Sequence, residues 1–248
     1  MGLKSKVYLL LEKLLAPSTD KIVCISEAER DSANREHVAK DEKLELIPNG
    51  IDIEAVRSAV AKKRSDYGIA EDAYLVGMIG RLSAQKAPDV FIRAAKLIKD
   101  RIPNAAFIIV GNGDMTEEVV GYAKENDLQL HITGWTDEPY AYLKNFDVAL
   151  LLSRWEGFGL AVVEYMAAEK NVVASRTDAI PTLIEDGTDG LLVQVDSPED
   201  AAEKVLWLYE HPEEAAKMRA AALKKVYEKY SIERVAEQHV KMFEELCW

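Results

Sequence analysis

Cysteine, histidine and positive charge are scarce in this chain, and each shortage closes a class of function. Its 248 residues include two cysteines, Cys24 and Cys247, and no Cys-x-x-Cys. That number builds no disulfide framework and fits a reducing compartment. The four histidines, His37, His131, His211 and His239, are scattered, and none has metal-ligand spacing to another. His131 falls inside a strand candidate and reads as packed rather than catalytic. Lys and Arg total 31 against 43 for Asp and Glu, a net charge of -12. This balance argues against nucleic acid or an anionic membrane as main partner, yet leaves room for a locally basic pocket. No apolar run approaches the roughly 20 residues that cross a bilayer. Val7-Tyr8-Leu9-Leu10-Leu11 is too short and too soon followed by charge for a secretory signal. The chain also lacks internal repeats, low-complexity tracts and any Asp-x-Asp.

What is present is an apolar fraction of 48%, enough for a sizeable core in one large or two small domains. The most informative stretch is Ser153-Arg-Trp-Glu-Gly-Phe-Gly-Leu-Ala-Val-Val-Glu164. An apolar strand (Val148–Leu152) enters it, a loop with Gly157 and Gly159 on either side of Phe158 follows, and an apolar helix leaves it. Glycines let a backbone approach a ligand closely, and a new helix turns free N–H groups and a positive dipole toward the same spot. Glu156 precedes the helix and Glu164 lies within it. A carboxylate accepts two hydrogen bonds from a vicinal diol, so the pair suits phosphate in the middle and sugars at the ends, as in a nucleotide-sugar. The competing reading of the segment is an ordinary strand–turn–helix with solvated acids.

From residue 73 onward, strand candidates at Tyr74–Ile79, Ala106–Val110, Leu128–Thr133, Val148–Leu152, Asn171–Ser175 and Gly190–Val193 alternate with helix candidates near 86–101, 115–126, 138–145, 159–169 and 180–185. Nearly all-apolar strands alternating with helices predict a parallel α/β sheet covered on both faces. Ligands of such sheets bind at the carboxyl ends of the strands. Gly80-Arg81, Gly111-Asn112-Gly113, Gly134-Trp135 and Ser153–Gly159 all fall there. Gly111-Asn112-Gly113 lacks the third glycine of a dinucleotide fingerprint and reads as a tight turn. Residues 198–246 are helical, with starts at Ser197-Pro198, His211-Pro212 and Ser231-Ile232.

The first 52 residues differ. Val7–Leu15 reads as an amphipathic helix, Lys21–Ile25 as a short strand, and Ser26–Lys40 as a helix with Ser26 and Glu29 in capping-box positions. Leu44–Ile47 is a second strand that ends in a Pro48-Asn49-Gly50 turn. So small a fragment has too little core to stand alone and resembles the tail of another domain.

In order, Ile47-Pro48-Asn49-Gly50-Ile51-Asp52, Gly80-Arg81-Leu82 with Lys86, Gly111-Asn112-Gly113, Gly134-Trp135, Ser153 through Glu164, and Ile184-Glu185-Asp186-Gly187 with Gly190–Val193 resemble the C-terminal half of retaining GT-B glycosyltransferases of family four. The resemblance implies a Rossmann-like, doubly wound parallel sheet with extra C-terminal helices. Residues 43–248 would form the nucleotide-sugar-binding domain, and residues 1–42 a remnant of the N-terminal acceptor domain with its linker. Arg81 and Lys86 would neutralise the donor diphosphate. Glu164 would hold the ribose and Glu156 the donor sugar, while Gly80 and the backbone of Gly157, Phe158, Gly159 and Leu160 would meet phosphate or sugar. Trp135 would sit near the base, as a stacking side chain or as core or rim packing. Two cations and a helix terminus would replace a metal, no cofactor is implied, and retention would proceed by front-face attack without a protein nucleophile. Tyr165 would point away from the ligand.

Two departures bear on this resemblance. The family's Lys-Gly reads Lys86-Ala87-Pro88 here, and its Gly-Gly-Ile-Pro-Glu reads Asp178-Ala179-Ile180-Pro181-Thr182. The second leaves sugar preference open. UDP-sugar is the favoured donor and GDP-mannose the alternative. The acceptor would be a sugar, lipid or small molecule. The expected partner is the missing N-terminal domain or a chain that supplies it, with a homodimer through residues 7–15 as a further option. The expected location is cytoplasmic, with peripheral membrane association open for the complete enzyme. A non-catalytic nucleotide-sugar-binding subunit remains the alternative to an enzyme.

Overall fold

The computed structural model describes residues 3–247. The strands are β1 (Ile22–Cys24), β2 (Leu44–Leu46), β3 (Tyr74–Ile79), β4 (Ala105–Val110), β5 (Leu130–Ile132), β6 (Val148–Leu151), β7 (Asn171–Ser175) and β8 (Leu191–Val193). The helices are α1 (Leu3–Leu15), α2 (Glu27–Arg35), α3 (Ile53–Ser58), α4 (Pro88–Lys99), α5 (Thr116–Glu125), α6 (Pro139–Leu143), α7 (Leu160–Ala167), α8 (Ile180–Leu183), α9 (Pro198–Glu210), α10 (Pro212–Lys229) and α11 (Ile232–Cys247).

The last six strands form one parallel sheet in the order β5-β4-β3-β6-β7-β8. Its strands are apolar at successive positions because both faces are covered. Val148 and Leu150 enter one core with α4, α5 and α9, while Ala149 and Leu151 enter the other with α3, α7, α8 and α10. The strand order runs outward in both directions from the β3–β6 pair. A crevice opens at such a switch point, outside the carboxyl ends of the two strands. The loops after β3 and β6 and the start of α7 carry the candidate residues other than Trp135, which follows the edge strand β5, so the fold alone puts them side by side.

β1 and β2 make a separate parallel pair, with Ile22 opposite Leu44 and Cys24 opposite Leu46. Leu44–Leu46 thus belongs with the first sheet, and a division between residues 42 and 43 falls between the two strands of that sheet. α11 returns to this unit, where Val235 and Met242 pack with Ile47 and Val23.

The expected helix over Ser26–Lys40 is shorter. Ser26 caps it by accepting the Glu29 N–H at 3.1 Å, and the Glu29 carboxylate accepts from Ile25 N, one residue before the usual capping-box partner, at 2.7 Å. It ends at Arg35 because His37 adopts a left-handed φ of 52°. The short α3 was not expected. Asp52 starts it by accepting the Ala55 N–H at 2.8 Å. α1 forms, but its apolar face stays largely uncovered. Val7, Tyr8, Leu10, Leu11, Leu14 and Leu15 are all exposed.

Candidate functional site

Three loops interlock at the switch point. The loop after β3 lies against the loop after β4, with Gly80 N donating to Val110 O and Leu82 N to Asn112 O. The approach is closer than a side chain allows. A Cβ on Gly111 would stand 2.2 Å from Gly80 O, and one on Gly113 2.2 Å from Leu82 O. These glycines therefore serve backbone packing beneath Gly80-Arg81-Leu82, beyond the tight turn the sequence suggests. The loop after β6 locks onto the same segment, since Arg154 N donates to Gln85 O and Gln85 Nε2 to Trp155 O. Arg154 extends this clamp with a bidentate pair to Asp89 and a further bond to Asp196. Burial pushes the Asp89 carboxyl upward, but the hydrogen bond and charge of Arg154 outweigh it and hold the group below its usual value.

The side chains converge on this frame. Lys86 runs across Gly80 and forms an ion pair with Glu156. The same Glu156 Oε1 accepts the Ser153 hydroxyl at 2.7 Å, and Glu156 N donates to Asp178 Oδ2 at 2.8 Å. Glu156 is 8% exposed, so its charge is matched by a cation and a hydroxyl rather than by water. Arg81 is exposed, and its guanidinium has no ion-pair or hydrogen-bond partner among the described residues, although its carbonyl accepts from Ser83 N. The N–H groups of Gly157, Phe158, Gly159 and Leu160 have no protein acceptor among the described residues. Gly159 turns into α7 at a left-handed φ of 100°. Phe158 is buried edge-on against Tyr230, with ring centroids 5.9 Å apart, so only its backbone faces the crevice side of the loop.

Glu164 lies on the first turns of α7, half-buried, and accepts the Tyr140 phenol at Oε1 over 2.8 Å. Burial raises the Glu164 pKa, while Tyr140 and the nearby Lys86 oppose the shift. Burial and the Glu164 charge raise Tyr140 as well, so its proton stays on the phenol.

Residues 59–225 match the family described as "Glycosyl transferases group 1", and residues 1–55 match "Glycosyltransferase Family 4". The chain belongs to the group 1 glycosyltransferases. It is 30% identical over 198 residues to the UDP-Gal:alpha-D-GlcNAc-diphosphoundecaprenol alpha-1,3-galactosyltransferase of Escherichia coli, a match that covers 76% of this chain and 51% of that enzyme. It is 25% identical over 221 residues to a D-inositol 3-phosphate glycosyltransferase of Segniliparus rotundus, 86% of this chain and 49% of the other. The chain thus spans about half the length of these relatives. A point mutant of TarM of S. aureus, solved with fondaparinux, alpha-GlcNAc-glycerol and UDP, superposes with a TM-score of 0.81 at 26% identity, over 97% of this chain and 46% of TarM. Anabaena HepE in complex with UDP superposes at 0.89 with 21% identity, over 97% of this chain and 68% of HepE, and shares the fold.

This glycosyltransferase half therefore carries the GT-B donor-domain architecture that the motif order implied. The fold brings Arg81, Lys86, Glu156, Glu164 and the Gly157–Leu160 backbone to one end of the sheet. Trp135 is 78% exposed, which rules out core packing. His131 tilts against Tyr67 at 5.2 Å and is half-buried, as a packed residue should be. Tyr165 is fully buried, and its phenol accepts Ile79 N at 2.7 Å, directly behind Gly80. It supports the loop from within the core. Sequence reasoning assigned no role to Tyr140, Ser153, Arg154 or Asp178. Asp178 carried a signal, because it replaces a family glycine and adopts a left-handed φ of 42°. Among the described residues no group of three or more His, Cys, Asp or Glu could hold a metal ion, and no helix is long and apolar enough to cross a membrane.

Proposed function

We propose that this chain is the donor-binding half of a retaining hexosyltransferase. It takes a nucleoside-diphosphate sugar, with uridine as the favoured base, and passes the sugar to an acceptor hydroxyl once an acceptor-binding half is present. Arg81 and Lys86 meet the diphosphate, Glu164 the ribose and Glu156 the sugar. The Gly157–Leu160 N–H groups serve the distal phosphate or sugar hydroxyls. The observation that carries this reading is the pattern of spare valences at the switch point. Among the described residues, a guanidinium without a partner, a run of N–H groups without acceptors at a helix start and two carboxylates with open oxygens lie together where α/β folds bind ligands. Arg offers a fork and Lys a point charge to a departing diphosphate, a stabilisation that needs no metal. Uridine is supported by the UDP in the TarM complex and by the UDP-sugar in the E. coli relative's name. We move the boundary between the two units from residue 42 to the Pro48-Asn49-Gly50 turn, a choice supported by the pairing of β1 with β2.

Calorimetric titration of the chain with UDP, GDP and ADP tests this. UDP should bind best, and Arg81→Ala and Glu164→Ala should each weaken it by about 1.5–3 kcal/mol, as for lost charge-assisted hydrogen bonds. Unchanged affinity in both variants would place the nucleotide elsewhere. No binding of any nucleotide would sink the reading for the chain by itself.

A further inference from the structure

Tyr140 belongs to α6, an element that supplies none of the residues assigned above, yet its hydroxyl donates to Glu164 Oε1 at 2.8 Å. We infer that Tyr140 is a positioning residue for nucleotide recognition, its phenol holding the Glu164 carboxylate in the orientation that meets the ribose diol of a nucleoside diphosphate. This rests on the reading of Glu164 as the ribose carboxylate.

The geometry assigns the role. A carboxylate oxygen has two lone pairs, so Oε1 can accept from Tyr140 and still take one ribose hydroxyl while Oε2 takes the other. Tyr140 packs against the apolar core, which fixes its ring and through it the carboxylate plane. The α6 backbone is held in turn, because Pro139 opens the helix and Lys144 N closes it on Tyr140 O at 3.0 Å. No other side chain donates to Glu164 among the described residues. Lys86, from the loop after β3, acts on it through charge alone and is already engaged with Glu156. The other polar groups facing the pair are Asp52 at the start of α3, which acts on Tyr140, and the buried Tyr165 phenol, which is bonded to Ile79. Neither can replace the donor.

A second consequence concerns protonation. Burial favours the neutral Glu164, and the Tyr140 bond and the Lys86 charge favour the ionised form. Only the ionised form accepts from both hydroxyls. Removing the phenol hydroxyl takes away one of the two opposing effects. The Glu164 pKa then rises further, and nucleotide affinity is lost at a higher pH on acidification.

The test is calorimetric titration of UDP and 2′-deoxy-UDP into the wild-type chain, Tyr140→Phe, Glu164→Gln and the double variant, between about pH 5 and 8. Phe keeps the ring and its packing, and thermal melts confirm that it does. Tyr140→Phe should bind UDP about 5- to 10-fold more weakly at neutral pH. Its affinity should fall away at a higher pH than the wild type's, and its preference for UDP over 2′-deoxy-UDP should shrink. In the Glu164→Gln background the same substitution should have little further effect, the mark of two residues acting as one unit. If Glu164→Gln weakens binding and Tyr140→Phe matches wild type across the pH range, the positioning role is wrong and the site reading stands. If Tyr140→Phe weakens both ligands equally with an unmoved pH profile, its role is structural. If wild type binds no UDP, or Glu164→Gln binds as wild type does, the site reading fails and takes this inference with it.

Discussion

Glu156 is held from three sides. Lys86 and Ser153 meet its Oε1, and Asp178 takes its backbone N–H. A buried carboxylate so placed is stable only while its cation stays near, so on the proposed reading a bound donor would share Lys86 between Glu156 and its diphosphate. Glu156→Gln keeps the shape and the hydroxyl bond but loses the charge. In an enzyme completed by its acceptor half, this variant should lower kcat/KM by about 10- to 150-fold, the equivalent of about 1.5–3 kcal/mol. Full transfer by Glu156→Gln in a steady-state assay would refute a role at the sugar. Arg81, Glu156 and Glu164 were legible as candidates because each stands beside a local sign, a strand end or a glycine-rich helix start, whereas Lys86 was readable only through the family resemblance. Tyr140 and Arg154 were not. Each acts on a residue distant in sequence, Glu164 and Asp89 respectively, and no local pattern records such a pairing.

The element that decides the site is the β6–α7 turn. Its two glycines look alike in the sequence and differ in the structure. Gly159 has a φ of 100°, and a Cβ there would lie 2.5 Å from Ile180 Cδ1, whereas a Cβ on Gly157 would meet nothing within 4 Å. Gly159→Ala should therefore destabilise the chain by about 1–3 kcal/mol in denaturant unfolding. Gly157→Ala should stay within about 0.5 kcal/mol of wild type, and any loss it causes in UDP affinity then reports on the close approach of the ligand. Equal stability of the two variants would contradict the geometry. At this scale the strands of the six-stranded sheet were legible to within a residue or two, because short continuous apolar runs set between turn residues and longer helical patterns mark buried strands by their length and flanks. The overextended Ser26–Lys40 helix and the missed α3 share another cause. Their boundaries depend on a left-handed His37 and on an Asp52 cap, single-residue events that periodicity does not see.

At the scale of the whole molecule, the two units differ in how well they are covered. The six-stranded sheet has a core on each face, whereas β1 and β2 form a pair with α1 standing largely uncovered beside them. An open groove of about 760 Å³ separates α1 from β1 and α2, lined by Tyr8, Leu9, Ile22 and Val23 among others. An exposed apolar face of this kind favours association. The motif order made the uneven division readable, since every candidate phosphate or sugar residue lies after residue 79, but periodicity could not say what covers α1. Two behaviours are expected together. The purified chain should bind UDP while showing little acceptor-dependent turnover, and it should self-associate through α1 as its concentration rises. Sedimentation velocity on wild type and on a Leu10→Glu, Leu14→Glu variant checks the second. Both leucines are exposed, at 57% and 66%, so the substitutions should leave the fold and UDP affinity intact while returning the chain to monomer. A wild-type chain that stays monomeric at all concentrations would show that α1 does not draw copies together. Rapid transfer by that monomer would show that the donor half needs no second half for catalysis.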